Sequence, residues 1–268
     1  MGLPAFSIRS DTDNRDHRLA ASHTPMHTKY RLSVCPHDTA KNLAGWFLIN
    51  TYLQRKLGLA MRFDPFDNFN VERERVLAGG YHLVYANPFS ALKYVHERGF
   101  VPVARPTGVY DETMLVARRG VGLPATRPLK VSSATDKLIV HFLGLTLLNK
   151  LQIPLADCTF QMAGNHLKAA QAVLGSQADV GFVFNETWHG LSASTRESLE
   201  IVTATESRMA SHCFCVGPEL ADRRDEVRDV LCGMRDDPSG KRILEDLRFS
   251  GFEAMDTTAL ESLTALVQ

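Results

Sequence analysis

The chain is 268 residues long, 44% hydrophobic and 22% charged, with 30 basic residues against 30 acidic ones. That length and composition suit one large globular domain or two modest ones. The even charge balance excludes the strongly cationic surface of an extended nucleic-acid or anionic-membrane binder, and no run approaches the roughly 18 apolar residues of a bilayer-spanning helix.

The first 28 residues carry Arg9, Asp11, Asp13, Arg15, Asp16, His17 and Arg18 without an apolar run. They read as a disordered tail rather than a secretory leader, with Met26 as an alternative start. Residues 30–35 alternate apolar and polar at period two, a strand that enters a helix through the turn Pro36-His-Asp-Thr39. Leu43, Trp46, Phe47, Leu53 and Leu57 share one face of that helix; Asp38 or Thr39 can cap its start and Gly58 its end. The unit recurs with strand 60–64, helix 71–78, strand 81–86 and helix 89–98, followed by strands 100–105 and 112–118. Such alternation predicts mainly parallel β-α-β units.

The Gly- and Pro-containing stretch 120–128 reads as the first crossing between two lobes. A second set follows: strand 129–132, helix 135–150, strand 158–162, helix 166–174 and strand 179–184. The chain then runs through strand 199–203, a return hinge near 204–207, strand 211–216 and helices at 219–235, 239–247 and 257–267. The expected fold is α/β and two-lobed, each lobe a mainly parallel sheet flanked by helices. The first lobe takes 29–118 plus 207–268, and the second takes 119–206. Five cysteines without zinc-ribbon spacing argue against a disulfide framework and for a reducing compartment.

Four stretches carry a resemblance. They are the first strand and helix, with Asn42-Leu43 and Tyr52-Leu-Gln-Arg-Lys-Leu-Gly58, and Gly79-Gly-Tyr-His-Leu-Val-Tyr-Ala-Asn-Pro-Phe-Ser-Ala-Leu92. The others are Gly164-Asn-His166 with Ala172-Val173 and Ala178-Asp179-Val180, and Met234-Arg-Asp-Asp-Pro-Ser-Gly240 with Gly251-Phe252. In order and spacing the chain resembles the phosphate/phosphite/phosphonate substrate-binding proteins of ABC transporters over roughly 30–252. The resemblance implies a periplasmic-binding-protein-like fold of type 2, closing on ligand by hinge rotation. It also implies a small oxyanion ligand and an ABC permease as partner, while the lack of a leader favours a sensor that reports to a kinase; neither cofactor nor metal is expected. The lack of a leader points to the cytoplasm, whereas the resemblance points to the periplasm.

Candidate ligand residues follow from position. Ser132, Ser133 and Thr135 lie in a hydroxyl-rich turn between a strand and a helix, where free N–H groups and the positive end of the dipole suit an anion; an ordinary N-cap is the blander role. His166 opens the next helix and matches a ligand-contacting His of the family. Tyr85 ends a first-lobe strand, at the edge where open α/β sheets bind ligands, and matches a family tyrosine; Asn68 or Phe69 falls near another. Glu186 matches an acidic position that meets a ligand amine. His212 stands where the family has an acid, which disfavours an aminoalkyl phosphonate.

No nucleophile elbow, phosphate loop, dinucleotide fingerprint or zinc-protease motif is present, so no catalytic residue is assigned. Two rivals remain. One is a cytosolic enzyme of the same fold acting on an aromatic acid, resembling those late in the futalosine route to menaquinone, with His166 or His212 as its acid–base group and an apolar aromatic cleft. The other is a soft-oxyanion sensor using Cys213 and Cys215, whose strand spacing puts both sulfurs on one face beside His212.

Overall fold

The computed structural model describes residues 30–267 together with Gly2; apart from Gly2, the predicted tail lies outside the described residues. Two sheets organise the rest. The first contains β1 (Tyr30–Val34), β2 (Met61–Asp64), β3 (Leu83–Ala86), β4 (Val101–Pro106), β10 (Cys213–Val216) and β11 (Phe252–Ala254), in the order β11-β4-β10-β3-β1-β2. The second contains β5 (Thr113–Arg118), β6 (Leu129–Ser133), β7 (Cys158–Met162), β8 (Val180–Phe184) and β9 (Leu199–Ala204), in the order β7-β6-β8-β5-β9.

Helices α1 (Pro36–Leu57), α2 (Phe69–Leu77) and α3 (Pro88–Arg98) connect the strands of the first sheet. The second carries α4 (Ile139–Lys150), α5 (His166–Leu174), α6 (Asn185–Gly190) and α7 (Ala193–Ser198). The chain then returns through α8 (Arg224–Cys232), α9 (Pro238–Leu247), α10 (Thr257–Glu261) and α11 (Thr264–Val267).

The α/β class holds, but both sheets are mixed rather than mainly parallel. β1 pairs in parallel with β2 and β3, and β6 with β7 and β8; β10 and β5 run antiparallel to their neighbours. A strand that arrives from the other sheet comes without the crossover helix that would restore its direction.

The same crossing displaces the predicted lobe boundary. Thr113–Arg118 belongs to the second sheet, where it pairs with β8 and β9. The chain therefore leaves the first sheet through 107–112 and returns through 205–212, while 120–128 merely links β5 to β6. The two crossings are bonded to each other: the Asp111 amide donates to the Ala210 carbonyl at 2.8 Å and the Thr205 amide to the Thr113 carbonyl at 3.0 Å. The buried Glu112 carboxylate accepts from the Arg208 amide at 2.6 Å.

Helix α1 opens with Pro36 at its first position, fixing φ where the amide has no helical partner anyway, and ends at Gly58 in the left-handed conformation. Its backbone breaks at Asn42 (φ −153°, ψ 75°), whose side chain accepts from the Gly45 amide at 2.9 Å and so starts the helix afresh. The break rotates the apolar face: Trp46, Ile49, Leu53 and Leu57 are buried, while Leu43 and Phe47, placed on that face by periodicity, are exposed.

One hydrophobic cluster joins the two halves. Val76, Tyr81, Val84 and Tyr94 from the first pack with Ile139, Val140, Leu143 and Phe184 from the second. In the separate second-sheet core, α4 lies tight on β8, and a Cβ on Gly144 would land within the Phe182 ring. Ala in place of Gly raises helix propensity by about 1 kcal/mol, but overpacking a buried ring costs about 1–3 kcal/mol. Gly144→Ala should therefore lower the denaturant midpoint with an unchanged slope; a raised midpoint would contradict this packing.

Candidate ligand-binding cavity

Between the two sheets lies a small, partly open cavity, lined from both sides and by both crossings. His37 of α1, Phe69 of α2 and Asn87, the N-cap of α3, face it from the first half; Leu138, Ile139 and Val140, His166 and Phe184 face it from the second. Asp111 and His212 come from the two crossing segments.

The start of α4 sets the chemistry of this space. Leu138 occupies its N-cap position, and among the described residues no side chain caps the helix's first turn. Leu138, Ile139 and Val140 are all buried, so a helix end with its positive dipole faces a partly open, largely apolar space. Helix α5 begins beside it, its N-cap supplied by Asn165, which accepts from the Lys168 amide at 2.8 Å. His166, its first residue, is buried against Phe184 with ring centroids 5.5 Å apart, and its Nδ1 has no partner among the described residues. Burial, and then the nearby His37, His212 and Lys41, press its pKa down to about 3, so the ring is neutral near pH 7.

His212 is the opposite case. Its Nδ1 lies 3.1 Å from Asp111 Oδ1 and its Nε2 3.4 Å from Asp38 Oδ2. The second contact is close in charge, but both of its atoms lack a hydrogen bond. Burial disfavours the imidazolium, yet Asp111, Asp38 and Cys35 hold its pKa well above the ordinary value. The ring also stacks on Tyr85, centroids 5.7 Å apart.

Outside the cavity, Lys41 ion-pairs with Glu186, and His37 Nε2 stands 3.6 Å from the same carboxylate. Partial burial works against its ionisation, but His37 and Lys41 together hold the Glu186 pKa at about 2. The Lys41–Glu186 contact ties α1 to α6 beside a wider groove that shares Phe184 with the cavity.

Of the seven candidate residues, His166 and His212 line the cavity and the other five do not. Tyr85 is buried behind His212, between it and Trp46, as a packing ring. Ser132 is fully buried with an unpartnered Oγ. Ser133 Oγ is 3.1 Å from His141 Nδ1, and Thr135 Oγ1 accepts from the Lys137 amide at 3.2 Å. The turn they form precedes α4 instead of capping it, because the helix begins at Ile139 and not at 135. Glu186 is already neutralised by Lys41. Cys213 and Cys215 do share a face, sulfurs 3.5 Å apart, but both are sealed in the core. His212, one residue earlier at period two, points away from them towards Asp38.

The description of a family model, "ABC transporter, phosphonate, periplasmic substrate-binding protein", matches residues 32–260. The chain belongs to this phosphonate-binding family. Solved structures agree on the type 2 periplasmic-binding-protein fold. PhnD1 from Prochlorococcus marinus in complex with methylphosphonate aligns with a TM-score of 0.73 at 13% identity, over 88% of this chain and 96% of that one. XAC2383 from Xanthomonas citri bound to chloride ion gives 0.72 at 18%, over 89% and 97%. The binding component of an ABC phosphonate transporter from Pseudomonas aeruginosa gives 0.69 at 14%, over 88% and 84%. A search of curated protein sequences found no match.

Sequence reading did not single out His37, Asn87 and Asp111, which also line the cavity, nor Asp38 beside His212. His37 and Asp38 were visible as polar residues in the turn after β1, at the carboxyl end of a strand where open sheets bind ligands. Asp111 was hidden by placing β5 in the wrong sheet.

The buried His166 also makes a pH prediction. Its folded pKa of about 3 lies below the ordinary histidine value of 6.5, so the unfolded chain binds the extra proton between those values and stability falls as pH drops from about 6.5 towards 3. His166→Phe should flatten this part of a stability-against-pH profile. An unchanged slope would place a charged imidazole there.

Proposed function

We propose that the chain binds a small oxyanion of the phosphonate or phosphate class in the cavity between the two sheets and does no chemistry on it. The sheets act as two lobes that close on the ligand, and the output is the closed state, read by an ABC permease or by a sensor partner. One observation carries this reading: the uncapped first turn of α4 lines the cavity beside a neutral, buried His166 whose Nδ1 lacks a partner. Backbone amides at a helix start bind anions without a formal positive charge, and a neutral imidazole in the Nδ1–H tautomer donates one further hydrogen bond.

The apolar neighbours Phe69, Leu138 and Phe184 suit the alkyl group of a phosphonate better than a fourth phosphate oxygen, which would lie against them without a donor. The enzymatic rival fits less well. A His titrating near 3 is a poor general base at neutral pH, and His212 is held charged between two carboxylates.

A ligand that binds only the folded protein raises its melting temperature, so thermal shift and calorimetry with methylphosphonate, phosphate, sulfate, arsenite and aromatic acids test the reading. Methylphosphonate should bind more tightly than phosphate. Removing the single donor with His166→Phe should weaken binding by about 1.5–3 kcal/mol, or roughly 10- to 100-fold, whereas Ser133→Ala with Thr135→Ala should leave affinity within about twofold. A response to aromatic acids alone would favour the enzyme.

A further inference from the structure

Cys35 and Asp38 sit three residues apart on the first turn of α1, with Cys35 at the N-cap, so that their side chains project on one side of the helix start. His212 approaches from the second crossing segment. A Cys35 sulfur, an Asp38 oxygen and a His212 ring nitrogen all lie within 4.8 Å of one another. Independent features around the trio point inward. Asp38 Oδ2 and His212 Nε2 are both removed from water, and neither makes a hydrogen bond among the described residues. Asp111 holds the other ring nitrogen at 3.1 Å, the carboxylate–imidazole arrangement that orients a metal-ligating His. Asn87 Nδ2 donates to the Cys35 sulfur at 3.8 Å, as a donor to a coordinated thiolate would.

We propose that Cys35 Sγ, Asp38 Oδ2 and His212 Nε2 form a site for a zinc-class divalent cation. One sulfur, one oxygen and one nitrogen match the donor preferences of Zn²⁺, and three protein ligands leave a fourth tetrahedral position. On binding, the Cys35 thiol proton and the His212 Nε2 proton leave to solvent and the ion takes their place; no electrons are transferred. His212 and Asn87 both line the cavity, so the fourth position is within reach of water or of a bound oxyanion. Contact with an oxyanion rests on the function proposed above, whereas the metal site stands on its own donors.

The test uses the full reduced chain, stripped with chelator and titrated with CoCl2 alone, without phosphonate, so that failure of the metal site and failure of oxyanion binding are read separately. One equivalent of cobalt should produce a thiolate-to-metal charge-transfer absorption, which one equivalent of ZnCl2 should then bleach by displacement. Cys35→Ser should abolish the band with an unchanged circular dichroism spectrum. Asp111→Asn, which removes only the orienting carboxylate, should keep the band and weaken binding about 10- to 100-fold. If Cys35→Ser does not fold, Asp111→Asn alone decides. The proposal is overturned by the absence of a band in the wild type, by a band that survives Cys35→Ser, or by unaltered affinity in Asp111→Asn.

Discussion

A helix start that is buried and uncapped sets the terms for the rest of this molecule. The first amides of α4 have no side-chain partner, and the residues that carry them are removed from water. Buried backbone donors are almost always satisfied in folded proteins, so such an end is stable when something polar occupies the space it faces. That space exists because the chain crosses twice between sheets: the crossings at 107–112 and 205–212 bring α1, α2 and α3 of one half opposite α4, α5 and β8 of the other.

The electrostatics around the cavity are those of a site that uses dipoles rather than charges. Asp38 and Asp111 flank a single protonated His212, His166 is neutral, and Lys41 is spent on Glu186 at the rim. On the reading proposed here, the helix ends of α4 and α5 supply the positive potential, and the acidic pair beside His212 penalises ligands that bring excess negative charge towards that wall. A cation between Cys35, Asp38 and His212 would reverse that local balance, and so tune which anion the cavity accepts.

Much of the architecture was legible in the order of elements, since alternating strands and amphipathic helices leave few topologies. The exception, β5, is instructive. Thr113–Arg118 reads as a strand from its own residues, but which sheet receives it depends on partners 63 to 90 positions away, and no local pattern encodes that. The lining of the cavity was legible where chemistry and local structure coincide, as in His166 at the start of α5. It was illegible where an ordinary turn signal pointed to the wrong helix start: the hydroxyls of Ser133 and Thr135 looked like caps, while the helix begins with apolar Leu138 and Ile139.

The most direct measurement is an amide chemical-shift titration of the ¹⁵N-labelled protein with methylphosphonate. Ile139 and Val140 should show the largest displacements, moving together with the His166 ring. If those amides stay still while the 132–136 turn or a surface patch responds, the anion is held elsewhere and the account of the α4 terminus is wrong.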